Sequence, residues 1–224
     1  MTGTTGGHGL TGVADAGAFL ARLVRLDPAV LVRLRPVPGA GRTALWARLP
    51  WGVLVVRTVP GDAPGDVTVA AADLLAELSA GGAGLPRRRD DGWRWPLPPP
   101  VSRPVELLPG AELRRIADAA AGTLREAATH GVAGRAVGQR VLRDALLDHV
   151  AVVVTPDGEP GAPVEVSQRL VQGVVRLGFL GTGAGDVQVR VAGHWVGLVG
   201  PYGAAWSRTV ADLALTPTRV HPNG

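Results

Sequence analysis

The chain has 224 residues, 46% of them hydrophobic and 19% charged, with a formal net charge of +4. That length and apolar share allow a sizeable buried core, in one larger domain or two small ones, and exclude a disordered chain. Cysteine is absent and every basic residue is arginine, which removes disulfides, thiol catalysis, cysteine-based zinc sites, lysine Schiff bases and the lysine of phosphate-binding loops.

Ile116 is the only isoleucine and Asn223 the only asparagine, while Ala, Gly, Val, Pro and Arg dominate, the residues that GC-rich codons specify. The composition is that of a high-GC bacterium. A net charge of +4 makes only a modest field, so charge by itself is weak grounds for a nucleic-acid partner. No apolar run approaches the roughly 20 residues of a membrane span. The start, MTGTTGGHGL, has neither a basic nor an apolar signal region. A flexible Gly-rich tail over residues 1–12, a cytoplasmic location and no membrane partner are the expectations.

In chain order, Phe19, Leu20, Leu23, Val24 and Leu26 form an apolar stripe at helical spacing, with Asp15 as the expected cap and Asp27-Pro28 as the stop. From residue 30 the period changes to two. Strands are expected over 30–35, 44–49 and 53–59, with turns at Pro38-Gly39 and Pro50-Trp51-Gly52, an antiparallel meander closed by Pro60-Gly61. Residues 70–78 read as a helix stopped by Gly81-Gly82.

Residues 81–110 are dense in Gly and Pro and read as a linker, polyproline-like over 97–100. Beyond it, Leu113, Ile116, Ala117, Ala120, Leu124 and Ala127 mark the strongest helix, ended by Gly131. A helix over 136–148, a buried strand over 150–155, a turn at Pro156-Asp157-Gly158 and a helix over 168–177 capped by Ser167 follow. Val187, Val189 and Val191 then alternate into a hairpin that returns over 195–199. Residues 216–224 read as a second flexible tail, and no internal repeat is visible.

The fold class expected is α+β. It comprises a helix–three-stranded antiparallel meander–helix unit over 13–80, the Pro/Gly-rich linker, and a helical unit with a strand and a β-hairpin over 111–215.

No catalytic motif is supported. None of Ser79, Ser102, Ser167 and Ser207 lies in a nucleophile elbow. The Gly181-Thr182-Gly183-Ala184-Gly185 stretch follows a helix and precedes a strand, the reverse of a dinucleotide loop. His8, His130, His149, His194 and His221 lack metal-binding spacing, although a fold could gather His130, His149 and His194. Asp144 and Asp148 share a helix face, but Arg140 and Arg143 make surface ion pairing the simpler account. No catalytic residue, metal ligand or cofactor is expected, and the sequence leans against an enzyme.

Two constellations remain. Arg87, Arg88 and Arg89 lead into Trp93 and Trp95 within the linker, a combination suited to gripping phosphate and stacking on bases, or to anchoring the linker or a partner chain. In the C-terminal half the order helix, helix, strand, helix, hairpin resembles a winged helix. That resemblance implies a recognition helix bearing Gln168, Arg169, Gln172 and Arg176, a wing bearing Arg190, and double-stranded DNA as partner. The leading reading is a non-enzymatic protein-interaction or scaffolding module that binds a protein partner or itself, as a homodimer for example. A DNA-binding regulator is the alternative.

Overall fold

A computed structural model describes residues 6–130, 139–155, 162–183 and 185–209. The turn expected at Pro156-Asp157-Gly158 and the tail expected at 216–224 lie outside these. The elements run α1 (Val13–Leu26), β1 (Leu31–Val37), β2 (Arg42–Arg48), β3 (Leu54–Pro60), β4 (Val67–Ala70) and α2 (Ala71–Ser79). Then come β5 (Arg103–Pro109), α3 (Gly110–His130), α4 (Gln139–Asp148), β6 (Val150–Val154), β7 (Val164–Ser167), α5 (Gln168–Arg176), β8 (Asp186–Ala192), β9 (Trp195–Gly200) and β10 (Gly203–Arg208).

Eight strands form one sheet in the order β4-β1-β2-β3-β10-β9-β8-β5, and β6 and β7 form a separate hairpin. The seam lies at β3 and β10, antiparallel, with Leu54 opposite Trp206, Val55 opposite Ala205 and Val56 opposite Ala204. Each half contributes a helix followed by a three-stranded meander (α1 with β1–β3, α5 with β8–β10), plus one strand–helix pair, β4–α2 or β5–α3, whose strand takes the outer edge. The fold thus repeats an arrangement that the sequence does not.

Strand alternation sends side chains to two faces. Leu45, Ala47, Val55, Val59, Val187, Val189, Leu198 and Ala205 enter the main core under the helices. Ala16, Phe19, Leu20 and Leu23 of α1 meet them at i, i+3, i+4 and i+7 spacing, and Leu170, Val171 and Val174 do so from α5. Asp15 is not the cap expected of it. Gly12 holds that position, and Asp15 in the first turn pairs with Arg57 of β3. On the opposite face Leu54, Ala192, Trp195, Ala204 and Trp206 make a second cluster.

The Pro/Gly-rich segment covers that second cluster. Trp93, Trp95 and Leu97 pack on it beside Trp46 and Val56. Upstream, Arg89 N–H donates to Thr68 C=O (2.7 Å) and Asp90 accepts from Thr68 N–H (2.7 Å), closing the free side of β4. Its last residues form β5 itself, paired with β8. The segment read as a linker is anchored by its tryptophans, which cover an apolar face of the sheet. Residues 6–12 are likewise held: His8 is buried, its Nδ1 accepting from Leu10 N–H (3.0 Å) while Nε2 donates to Gly82 C=O (3.1 Å).

The winged-helix resemblance does not survive. The expected wing, β8–β9, lies inside the large sheet, and the expected recognition helix, α5, is packed into the core against α3, β9 and β10.

Candidate functional site

A concavity of about 910 Å³ opens where the β2–β3 turn meets α3, α4 and α5. Its construction starts with α5, whose sequence QRLVQGVVR commits Leu170, Val171 and Val174 to the core. Gly173 brings the helix down onto the sheet: a Cβ there would stand 3.1 Å from that of Ala205 and 3.4 Å from Val53 Cγ1. The ridge left at i, i+4 spacing, Gln168, Gln172 and Arg176, lines the cleft together with Arg169. Trp51 and Pro50 enter from the turn, Leu124 and Arg125 from α3, and Arg143, Asp144 and Asp148 from α4.

Reciprocal bonds tie the turn to α5. The Trp51 indole N–H donates to Arg169 C=O (3.1 Å), and the Arg169 guanidinium donates to Trp51 C=O (2.6 Å). Arg169 Nε also bonds Asp148 Oδ1 (2.6 Å), and this bond holds the Asp148 carboxyl below its ordinary range. Arg176 donates to Gln172 Oε1 (2.8 Å) and lies over the Trp51 ring, 5.5 Å from its centroid. Arg48, also in the lining, is placed over Trp95 at 5.0 Å. Among the described residues the lining carries five guanidiniums against two carboxylates.

One polar group stands out. Gln168 is 3% exposed, and among the described residues its Nε2 has no hydrogen-bond partner. A buried amide donor left unpaired costs about 1–3 kcal/mol, so native proteins rarely keep one.

The residues expected to read DNA therefore sit otherwise than a recognition helix requires. Gln168 and Gln172 are 3% and 8% exposed, and Gln172 Nε2 reaches Ala117 C=O of α3 at 3.4 Å. Arg169 and Arg176 are committed to Asp148, Trp51 and Gln172 as described above. Arg190 is fixed by Ser102 Oγ (2.8 Å), Ser102 C=O (2.6 Å) and Gln188 Oε1 (2.7 Å). The amphipathic period of the segment is real, but its polar ridge faces an internal cleft.

Of the linker constellation, Arg87, Arg88 and Arg89 are exposed, with Arg88 paired to Asp90 at 2.6 Å. Trp93 and Trp95 meet edge to face at 5.6 Å and are half-buried against their own sheet, Trp93 under Arg33. Among the described residues no three His, Asp or Glu gather as a metal site. His149 and His194 are exposed, while the His130 side chain and His221 lie outside the described residues. The cleft residues that sequence reasoning missed are Trp51, Arg48 and Leu124. Trp51 sat in a predicted turn, and nothing in the sequence links it to a helix 118 positions away.

Sliding clamps are among the solved structures that share this architecture. The C. crescentus beta sliding clamp with PEG bound to a putative beta-motif tethering region matches with a TM-score of 0.58 and 13% identity, covering 98% of this chain and 69% of that one. The griselimycin-bound sliding clamp (DNA polymerase III subunit beta) from Pseudomonas aeruginosa matches at 0.52 and 16%, with the same coverage. The beta subunit from DNA polymerase of Streptococcus pyogenes matches at 0.51 and 12%, covering 88% and 62%. The fold is thus a clamp-like α+β fold, spanning roughly two-thirds of a clamp chain. Residues 97–212, more than half the sequence, match the family described as Domain of unknown function (DUF8185), and the chain belongs to that family. Residues 10–92 match a second domain of unknown function, DUF8010. No curated protein matches the sequence. No helix among the described residues is long and apolar enough to cross a membrane.

Proposed function

We propose that this protein is a non-enzymatic interaction scaffold, a clamp-like body that holds a protein partner or a second copy of itself. The observation that supports this most is the extent of the likeness: 98% of the chain is covered by a sliding-clamp structure. The clamp-like body includes the core and the continuous sheet. The basic cleft offers such a body one recessed place to hold another chain.

Duplex DNA is the second reading, on one observation: the similar solved chains are named as DNA polymerase subunits. In this reading contact would come from exposed arginines to phosphate, without a recognition helix, and would weaken steeply with salt.

The test is direct. The purified chain is examined by sedimentation for self-association, and partners recovered by crosslinking are re-bound as purified proteins. A saturable complex, or a dimer in the micromolar range or tighter, is expected. A strictly monomeric chain with no partner that re-binds overturns the scaffold reading. Duplex binding at low salt without any protein complex would favour the second.

A further inference from the structure

We infer that the cleft between the β2–β3 turn, α3, α4 and α5 is a docking site for a short acidic segment of a partner protein. This inference rests on the scaffold reading and names the chemistry of the partner.

Charge is the first argument. Of the five guanidiniums lining the cleft, only Arg169 has a carboxylate; among the described residues none lies within ion-pair distance of Arg48, Arg125, Arg143 or Arg176. Asp148 is already spent on Arg169. Arg48, Arg125, Arg143 and Arg176 against Asp144 leave the cleft a positive recess, and its concave walls strengthen the attraction for acceptor oxygens.

The Gln168 amide is the second and independent argument. Among the described residues its Nε2 is a donor with no acceptor, on a residue 97% removed from solvent at the cleft lining. A carboxylate entering the cleft supplies the missing acceptor, so the cost of the orphan donor in the free protein becomes a gain on binding.

Shape and polarity decide the class of ligand. Leu26, Trp51, Leu124 and Leu147 give the lining an apolar part, and the volume of about 910 Å³ falls within the roughly 300–1,000 Å³ of ligand-binding clefts. Apolar side chains interspersed with Asp or Glu fit that lining. A duplex is a poor fit, because reading it requires a helix or ribbon that protrudes into the groove. Here the polar ridge is recessed.

The probe is a random twelve-residue peptide library displayed on phage, panned against the full chain and two variants. Arg143→Glu reverses an exposed charge at the rim. Gln168→Met replaces the orphan amide by an apolar side chain of similar size. Enrichment of peptides with two or more Asp or Glu beside Leu or Phe is expected, with affinity falling about tenfold or more in each variant. Gln168→Met should do so at an unchanged or raised melting temperature, since it removes an unpaired donor. No enrichment, enrichment of basic peptides, or peptides indifferent to both variants overturns the inference. So does a lower melting temperature for Gln168→Met with affinity intact, which would make Gln168 purely structural. Displacement of the selected peptides by duplex DNA at physiological salt would reassign the cleft to nucleic acid. A partner that re-binds the variants as well as the parent chain leaves the scaffold reading standing while removing the cleft from it.

Discussion

Trp51 and Arg169 hold each other by their backbones, each side chain donating to the other residue's carbonyl across 118 positions of sequence. The pair fixes a hairpin turn of the N-terminal half to the first turn of a C-terminal helix, so the cleft exists only when both halves are folded. Trp51→Phe keeps the ring beneath Arg176 and removes one of the two bonds. It should cost about 1 kcal/mol in urea denaturation followed by circular dichroism. A variant as stable as the parent would show that the turn is held by packing alone.

Acid should expose two carboxylate–arginine contacts. Asp66 accepts two bonds from Arg33 (2.6 and 2.8 Å), and Asp148 accepts one from Arg169; both carboxyls are held below their ordinary range by those bonds. A depressed folded-state value contributes stability that is full above the unfolded value, about 4, and is lost as pH falls through the folded one. Asp66→Asn combined with Asp148→Asn should therefore lower the melting temperature at pH 7 and converge with the parent near pH 2. Both carboxylates are largely solvent-exposed, so the effect is modest. Parallel curves at all pH values would refute the linkage.

Two glycines should respond to alanine with opposite signs. Gly197 on β9 faces the Trp206 indole so closely that a Cβ would overlap the ring. Gly197→Ala is expected to destabilise by about 1–3 kcal/mol as the outer-face cluster shifts. Gly122 on α3 has nothing near its Cβ position, and Gly122→Ala should stabilise by up to about 1 kcal/mol through helix propensity. Thermal denaturation of the pair checks both.

His8 latches the N-terminal segment through both ring nitrogens. His8→Ala leaves the Leu10 amide and the Gly82 carbonyl without that partner, at a cost of about 1–3 kcal/mol. Hydrogen exchange at Leu10 should accelerate more than at β2. Unchanged protection at Leu10 would mean that the segment is held by other contacts.

The main helices and the first meander were legible because each carries an unbroken apolar period: Phe19, Leu20 and Leu23 in α1, alternation through β1 to β3, Leu113 and Ala117 in α3. Four strands were not. β4 and β7 have four residues each, too few for a period. β5 carries Pro104 and Pro109 and sits at an edge, the one place a sheet tolerates proline. β10, GAAWSR, has little large apolar content, because Ala204 and Ala205 pack beneath helix and tryptophan. The candidate site was half visible. The Gln168–Gln172–Arg176 ridge was found and read as an exposed surface, since helical period identifies a face without saying what stands opposite. Trp51, α3 and α4 stand opposite, brought there by pairings that leave no local trace.

The central claim, that the cleft is where this scaffold holds another chain, is tested most directly by site-specific photocrosslinking of the full chain. A photoreactive residue in place of Leu124 lies in the cleft, and one in place of exposed Leu107 on β5 lies outside the cleft lining. The account predicts a covalent adduct with a partner polypeptide from position 124, weakened by Arg143→Glu, and none from position 107. Equal adducts from both positions, or none from position 124 with a partner that demonstrably binds, would contradict it.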